Sequence, residues 1–527
     1  MRTIWQSLAW KEWHEHKWKL ASLSIVLCGV NALVLVNSRL DHQGPFETLY
    51  AMTACCAIPL AIFIGASVAA SERSRGTAPF MQSLPLSQRI VAIHKLLAGL
   101  VTVAASIGVA FLFVYGCYRG ASIFGYDVAP PSNRMQIIFP QPLELGNWFV
   151  ESAIALALAA CSVYLWTAAA GVNRQDEVSA AARAALVIVG WWVAMIAVNK
   201  YLGSAWLQSD GYWFATKLQA ASPGGFGIIR PPMVWSPPPT FFGVPQPVVA
   251  GVVFHVGLAL WFIHRFGRIA TDRVHSPRPA TLSAAKIDWL GPPRRSALAA
   301  IVWKQTRESG PVVLAGFASI LAIVAVMAVS MRTYLGGPQP LVELYASVTV
   351  ALGLFITLVV GIGVSLYDVG PQLNTFWRSR PINPDLWFWT KFVTGLLVVF
   401  VSLYLPLAVL AWTAAPDEFW RDMLHSETMI FPAITIAIYI SAVTMTCLVR
   451  HAVYAAILSI ATMYIGPLLV EAGMACVNWL VWRQEPKPFF ESANGPLMIA
   501  AMCAVMMGVL IVGWLAVRYD WGRTSRY

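Results

Sequence analysis

Twelve predominantly apolar runs, each about as long as a helix that crosses a bilayer, constrain this chain more than any other feature. They lie at residues 18–37, 47–70, 91–116, 148–171, 183–203, 247–266, 311–331, 343–366, 388–412, 429–449, 452–480 and 495–517. Only 12% of the 527 residues are charged, whereas soluble domains carry roughly 25%. The sequence therefore predicts an all-α polytopic membrane protein of about 12 transmembrane helices and excludes an ordinary soluble globule.

The basic residues segregate between the two sides of these predicted spans. With the N-terminus inside, 26 of the 36 Lys and Arg residues fall in cytoplasmic segments and 10 in outside segments. Membrane proteins carry such an excess on the cytoplasmic side. We therefore expect both termini in the cytoplasm and a multi-pass location in the cell membrane (inner or plasma membrane). The net charge of +11 then reflects topology and does not indicate nucleic-acid binding.

The loops divide the chain into two halves. The longest cytoplasmic segment, residues 265–310, is basic and contains four prolines. It predicts a first six-span half with an N-terminal interfacial helix at 1–270, a cytoplasmic linker at 271–300 and a second six-span half at 301–527. The longest outside loop, residues 204–246, is rich in Gly, Pro and aromatic residues. Its sequence fits either a loop packed on the outer face or a gate or re-entrant segment.

An internal repeat relates the two halves. A shift of 296 positions places residues 65–100 on residues 361–396 without a gap. The identical residues include Gly65/Gly361, Phe80/Phe376, Ser83/Ser379, Pro85/Pro381, Lys95/Lys391, Gly99/Gly395 and Leu100/Leu396, and Glu72 aligns with Asp368. A weaker similarity relates Trp10-Lys11-Glu12 to Trp303-Lys304-Gln305. Because each half has an even number of spans, we expect two parallel six-helix repeats related by an axis along the membrane normal.

The loop between predicted spans 2 and 3 has the pattern of a short docking helix. Phe80, Met81 and Leu84 form an apolar turn, and Pro85 ends it. The second half has Phe376, Trp377 and Pro381 at the corresponding place, followed by an Asn383-Pro384-Asp385 helix start. A tight charged turn is the alternative interpretation.

This pattern resembles the permeases of type-2 ATP-binding-cassette (ABC) exporters. The resemblance is carried by Glu72, Gly76, Thr77, Leu84, Pro85, Ser87 and Lys95, and by Trp10-Lys11-Glu12 before span 1. It implies paired six-span units whose loops between spans 2 and 3 dock into separate cytoplasmic ABC ATPase subunits, two copies per chain. The implied docking residues are Glu72, Arg73, Gly76, Thr77, Phe80, Met81, Leu84 and Pro85 in the first half, and Asp368, Phe376, Trp377 and Pro381 in the second. The second half departs from the pattern, because Gly370 and Pro371 are displaced.

The N-terminal stretch combines tryptophans with charges, as helices at a membrane surface do. Trp5, Trp10, Lys11, Glu12 and Trp13 therefore predict an interfacial helix in contact with lipid. His14, Glu15 and His16 lack a further ligand nearby, so we expect solvated side chains there and no metal site.

Motifs for chemistry are absent from the sequence. It has no GxxxxGK[ST] phosphate-binding loop, no HExxH and no GxSxG, so we expect no enzyme activity, no catalytic residues and no cofactor held by this chain. ATP and Mg²⁺ would be bound by the partner subunit. Two ionisable residues fall in predicted spans: His255, expected as a hydrogen-bonded core residue, and Glu471, expected where a span breaks after Gly466-Pro467. Asn31 predicts an interhelical hydrogen bond.

The function expected from these features is that of an export permease. The Ala-, Val-, Leu- and Trp-rich spans fit an amphipathic or lipid-like cargo and fit exposure to membrane lipids equally well. One alternative is an ion-coupled secondary transporter of the twelve-span facilitator class. In that class an acid-Arg pair follows a loop glycine at four positions, whereas Glu72-Arg73 follows Gly65 at seven. Another alternative is a membrane-embedded enzyme acting on a lipid, which would need an acid or His cluster at one membrane face.

Overall fold

Helices make up nearly all of the described structure. A computed structural model describes residues 4–37, 46–74, 77, 86–123, 145–172, 174–206, 210–225, 240–241, 244–266, 296–330, 339–369, 382–414, 426–477 and 495–521. Within these ranges lie α1 (Ile4–Asn37), α2 (Phe46–Ser74), α3 (Gln88–Ile123), α4 (Leu145–Gly171), α5 (Glu177–Trp206), α6 (Asp210–Ala221), α7 (Gln246–Arg265), α8 (Ala297–Ser330), α9 (Gln339–Val369), α10 (Pro384–Ala414), α11 (Ser426–Val449), α12 (Ala452–Val477) and α13 (Gly495–Arg518). A two-residue antiparallel ribbon pairs β1 (Thr240–Phe241) with β2 (Val244–Pro245).

Each of the twelve predicted apolar runs coincides with one of these helices, and α6 is the helix that the runs do not include. In the described residues, ten helices are long and apolar enough to cross a membrane, namely α1 to α5 and α7 to α11. The chain is therefore a multi-pass membrane protein by its helix lengths and composition. The described apolar stretches of α12 and α13, Ala452–Tyr464 and Met502–Arg518, are shorter, so the count of twelve spans stays a prediction.

The first helix differs from its prediction. The sequence predicts an interfacial helix followed by span 1, but α1 is one continuous helix of 34 residues. The physical reason is that no Gly or Pro occurs between Ile4 and Cys28 to interrupt the backbone ladder. At 1.5 Å per residue α1 is about 51 Å long, so it extends beyond a hydrocarbon core of about 30 Å.

Several corresponding pairs of helices are in contact in the two predicted halves. In the first half α1 packs against α3 and α2 against α4, and in the second half α8 packs against α10 and α9 against α11. Four helix pairs connect the two halves: α1 and α2 both contact α12, and α5 contacts both α8 and α9. Along this seam the rings of Phe63 and Phe355 lie 6.1 Å apart, and the Cys56 thiol donates to the Tyr464 hydroxyl at 3.4 Å. Between α1 and α2, Thr53 donates to Asn31 at 2.8 Å, which is the interhelical hydrogen bond that the sequence predicts.

Two of the repeated glycines mark close contacts between helices. The Tyr164 hydroxyl donates to the Leu96 carbonyl at 3.0 Å, and the Tyr439 hydroxyl donates to the Phe392 carbonyl at 2.9 Å. A Cβ atom on Gly99 would lie 2.2 Å from the Tyr164 hydroxyl oxygen. A Cβ atom on Gly395 would lie 2.2 Å from that of Tyr439. Only glycine leaves room for the buried tyrosine at these two corresponding positions.

We expect Gly99→Ala to lower the free energy of unfolding by about 1–3 kcal/mol, because the added methyl group overlaps a buried ring. Gly108 lies on the same helix, and a Cβ atom added there would have nothing within 4 Å. Gly108→Ala should therefore be neutral or stabilising by up to about 1 kcal/mol. Unfolding by SDS titration in mixed micelles, monitored by circular dichroism, measures both. Equal midpoints for the two variants would contradict the contact.

The segment after α5, which is predicted to lie outside, packs into the bundle. α6 packs against α5 and α7, and the turn that follows it, residues 222–225, is buried. Trp191 and Trp192 of α5 donate to the Ser222 hydroxyl at 2.7 Å and to the Pro223 carbonyl at 3.1 Å. Trp191 is 14 residues from Glu177, the first residue of α5, or about 21 Å along the helix. The turn therefore packs beside the middle of α5, which favours the gate or re-entrant alternative over a loop on the outer face.

The turn depends on its Pro223-Gly224-Gly225 sequence. Gly224 has a φ of +76°, which other residues rarely adopt. A Cβ atom on Gly225 would lie 1.9 Å from the Gln219 carbonyl oxygen. These two glycines let the chain reverse direction among the spans.

Candidate functional site

A buried group of charges joins α1, α2 and α3 near the ends predicted to be cytoplasmic. We call Lys11, Glu12, Glu15, Glu72 and Lys95 the first ion cluster. Lys95 has 2% of its side chain exposed, and its ammonium group lies 2.9 Å from Glu72 Oε1 and 3.5 Å from Glu12 Oε1. Lys11 lies 3.0 Å from the same Glu72 oxygen. Glu72 therefore connects all three helices.

A second group of charges joins α8, α9 and α10. We call Lys304, Glu308, Asp368 and Lys391 the second ion cluster. Lys391, with 1% of its side chain exposed, lies 2.7 Å from Asp368 Oδ2 and donates to the Val364 carbonyl at 2.7 Å. Lys304 also pairs with Asp368. Trp387 donates its indole N–H to Asp368 at 3.2 Å, so this carboxylate has three donors.

The two clusters use corresponding positions of the chain. Lys95 and Glu72 correspond to Lys391 and Asp368 by the shift of 296. The other members, Lys11 and Glu15, correspond to Lys304 and Glu308 by the shift of 293 that relates the two Trp-Lys stretches. One position changes its charge: Glu12 corresponds to Gln305.

Burying such clusters destabilises the fold unless each charge has an oppositely charged partner. Removing two charges from water costs several kcal/mol per ion, and the attraction offsets this only with good geometry. For Asp368, burial raises the pKa of the carboxyl, but the Lys391 and Lys304 ammonium groups more than offset burial and hold the pKa below its ordinary value. Ionised Asp368 therefore stabilises the fold above its ordinary pKa, and this contribution is lost as pH falls through the lowered pKa.

Two glutamates of the first ion cluster should respond differently to neutralisation. Glu72 accepts from Lys95, Lys11 and Thr77, so Glu72→Gln should cost about 1.5–3 kcal/mol. Neither carboxylate oxygen of Glu12 has a hydrogen-bond partner, and the second half carries Gln305 at this position. Glu12→Gln should therefore cost less, about 1 kcal/mol, because it removes no hydrogen bond and leaves Lys95 paired with Glu72. SDS titration of both variants measures the difference, and an equal or reversed order would contradict the central role of Glu72.

A separate buried chain of contacts crosses the seam between the halves. Lys19 on α1 donates to Ser67 on α2 at 3.2 Å, and Ser67 donates to Glu177 on α5 at 3.3 Å. His451, directly before α12, places its Nδ1 atom 3.9 Å from the other Glu177 oxygen. We call these four residues the seam network.

The corresponding place in the second half is different. Val312 and Gly363 correspond to Lys19 and Ser67 by the same two shifts. They line a cavity of about 20 Å³ together with Gln305 and Glu308, which is room for one water molecule. Gln305 Oε1 and Glu308 Oε2 are buried there without a hydrogen-bond partner. The two sides of the seam are thus unequal.

The predicted docking residues are only partly described. Gly76, Phe80, Met81, Leu84, Pro85, Phe376, Trp377 and Pro381 lie outside the described residues. The carboxylates of Glu72 and Asp368 face the buried lysines, which differs from the expectation that they contact an ATPase surface. The reason is that each acid lies in the last turns of its span, opposite a lysine of the following span. Thr77 donates its hydroxyl proton back to the Glu72 carboxylate, and Asn383 accepts from the Asp385 N–H at 2.8 Å as the predicted helix cap.

The N-terminal tryptophans lie on the surface, but their charged neighbours do not. Trp5, Trp10 and Trp13 each expose about half of their side chains, whereas Glu12 is 2% exposed and belongs to the first ion cluster. The sequence predicts a solvated His16, but this residue is 4% exposed and lies 2.9 Å from the Thr102 hydroxyl. Glu12 and His16 are one helical turn apart and both face α3, where they contact Lys95 and Thr102. Among the residues described, no group of three potential metal ligands occurs.

The two ionisable residues in predicted spans have different surroundings. His255 is 8% exposed and hydrogen-bonded to Ser162 and to the Gly251 carbonyl. α12 continues as a helix through Gly466 and Pro467, so Glu471 lies within a helix and not at a break in a span. Spans tolerate an internal proline because neighbouring groups satisfy the freed carbonyl. The Glu471 side chain is not among those described.

Sequence reasoning missed the lysines that centre both clusters. It aligns Lys95 with Lys391 and Lys11 with Lys304, but it assigns none of these lysines a buried acidic partner. The signal was present in the repeat, because charges recurring at matched positions near span ends are costly and need partners. No protein-family model matches this chain, and comparison with curated proteins found no match.

Proposed function

We propose that this chain is the permease component of an ATP-driven ABC export system, with both six-span halves fused and ATP hydrolysed by two separate cytoplasmic subunits. The main support for the proposal is that each half has an ion cluster where its second and third spans meet, at the ends predicted to be cytoplasmic. The cargo class proposed is amphipathic or lipid-like, and the membrane is the cell membrane.

The clusters supply what coupling needs mechanically. α2 ends at Ser74 and α3 begins at Gln88, so the predicted docking loop lies between two helices that Glu72 and Lys95 tie together. Lys11 adds α1 to the same unit. A force applied to the loop would therefore move three helices as one body. Asp368, Lys391 and Lys304 support the same role in the second half.

The packing between halves supports the rest of the cycle. α1 contacts α12 and α5 contacts α8, so a rotation of one three-helix unit acts directly on the other half. Cargo movement between two bundles that rock against each other is a common transport mechanism. ATP and Mg²⁺ would lie on the partners, where the energy of hydrolysis is released.

Ion-coupled transport finds less support. Proton or ion relays place titratable groups deep within spans. In the described residues, the clustered charges lie toward the helix ends at the predicted cytoplasmic face, and His255 is held by a serine and a backbone carbonyl. An ion-coupled secondary transporter is therefore the alternative that the following experiment distinguishes from the proposal.

The test is purification of the tagged full-length chain from its native membranes in mild detergent. We expect a Walker-type ATPase to co-purify at about two copies per chain, and its hydrolysis to respond to reconstitution with the permease. A chain that purifies alone in several detergents, without any nucleotide dependence of transport, would overturn the proposal in favour of ion coupling.

A matched pair of variants tests the docking residues. Phe80→Ala combined with Trp377→Ala should reduce ATPase recovery at least about tenfold, since apolar anchors dominate such interfaces. Leu97→Ala is the control, because Leu97 is 54% exposed on a span rather than in the loop. Equal ATPase recovery with both variants would contradict docking through these loops.

A further inference from the structure

One serine of α4, Ser162, contacts the buried turn at two points. Gly224 donates its backbone N–H to the Ser162 hydroxyl oxygen at 3.0 Å, and the same hydroxyl lies 3.2 Å from the Ser222 carbonyl oxygen. Ser162 also lies 2.6 Å from His255 Nε2 on α7. Ser162 is thus the point where the turn, α4 and α7 meet.

The hydrogen-bond roles at this point follow from the His255 ring. Its Nδ1 atom lies 2.7 Å from the Gly251 carbonyl oxygen, which can only accept, so Nδ1 carries the proton. In the neutral ring Nε2 must therefore accept, and the Ser162 hydroxyl gives its single proton to Nε2. Ser162 then holds the turn through one hydrogen bond, the one it accepts from Gly224.

Protonation of the His255 ring changes the number of hydrogen bonds between Ser162 and the turn. Nε2 becomes a donor and gives its proton to the Ser162 oxygen, which can accept from both Nε2 and Gly224. The Ser162 hydroxyl proton is released to the Ser222 carbonyl. The turn then has two hydrogen bonds to Ser162 instead of one.

We propose that His255 and Ser162 form a proton-binding latch that holds the turn at residues 222–225 more tightly when the imidazole is protonated. The ligand is a proton, and its effect is on the docking of the buried turn. The inference does not depend on the cargo or on the energy source of transport.

The groups around the ring set the conditions for the latch. On the helices packed against α7, the titratable or charged residues closest to the level of His255 are Cys161 and Tyr164 on α4 and Lys217 on α6. Other such residues lie toward the helix ends at the predicted cytoplasmic face, namely His94 and Lys95 on α3 and His264 and Arg265 on α7 itself. The carboxylate of α4, Glu151, is 11 residues from Ser162, about 16 Å along the helix. The carboxylate of α6, Asp210, is 12 residues before Ser222. The groups at the two ring nitrogens, the Ser162 hydroxyl and the Gly251 carbonyl, are both neutral, so the latch responds to acidic medium.

Hydrogen–deuterium exchange tests the latch in the full-length chain. The chain is reconstituted in phosphatidylcholine nanodiscs, and exchange of peptides covering residues 216–226 is measured at pD 5 and pD 8 with correction for intrinsic rates. One additional hydrogen bond predicts about fivefold stronger protection at pD 5. Ser162→Ala should abolish this difference, and His255→Gln, whose amide donates at every pH, should stay protected at both values.

Two comparisons keep the result specific. His94→Gln changes a histidine on α3 and should retain the wild-type response. Unchanged exchange of α8 and α9 shows that Ser162→Ala still folds. Equal corrected protection of the wild-type turn at both values, or a Ser162→Ala variant with the wild-type difference, would overturn the latch.

Discussion

Lys95→Met should lower the free energy of unfolding by about 3–5 kcal/mol, which is the usual cost of breaking a buried ion pair by removing one partner. The variant leaves Glu72 and Glu12 buried beside a methionine of similar volume, and Lys11 alone is left to pair with Glu72. Lys391→Met should have an effect of similar size, because Asp368 loses its most buried partner. The midpoint of SDS unfolding, followed by circular dichroism, measures both variants.

Lys17→Met is the matched control for these two variants. Lys17 lies on α1, where its ammonium group makes an exposed contact with His14 and lies 5.6 Å from the Trp18 ring. Exposed contacts of this kind contribute little, so this variant should unfold close to the wild-type midpoint. A Lys95→Met midpoint equal to that of Lys17→Met would show that the first ion cluster does not stabilise the fold.

Lys19→Met should cost up to about 3 kcal/mol, because it removes the buried charged donor of the seam network. Glu177, with 6% of its side chain exposed, would keep Ser67 and His451 but lose the positive charge that Ser67 connects to it. The expected result is earlier unfolding and weaker association of the halves. SDS unfolding measures the first, and cross-linking of cysteines placed on α1 and α12 measures the second.

The double variant Lys19→Met/Glu177→Gln separates a missing charge from a missing contact. Removing both charges should recover most of the loss, because a buried pair and a neutral replacement have similar stability. The second half already carries Val312 at the position that corresponds to Lys19. A double variant less stable than Lys19→Met would contradict the pairing of Lys19 with Glu177 through Ser67.

Sequence reasoning succeeds here where the pattern is local or repeated. Apolar runs place helices because the backbone must satisfy its own hydrogen bonds in lipid, and each predicted run coincides with a helix. The alignment of Gly99 with Gly395 and of Lys95 with Lys391 identifies positions that make the same contacts in both halves. These positions recur because the same packing is required twice.

The remaining features depend on partners distant in sequence. Glu12 and His16 have the sequence pattern of solvated residues, and only the packing of α1 on α3 shows that both are buried. The sequence leaves the buried turn undecided because Pro223-Gly224-Gly225 also suits an exposed loop. Its burial depends on donors from Trp191 and Trp192, which no local pattern connects to the turn.

The unequal sides of the seam have a consequence for how such a chain can evolve. A half-length chain that pairs with a second copy of itself would present the Lys19 and Glu177 arrangement on both sides, or the Val312-lined cavity on both. Joining the halves in one polypeptide lets each side be selected separately. One side can then be specialised for rigidity while the other keeps a small cavity, which is a difference that a symmetric pair of identical chains cannot have.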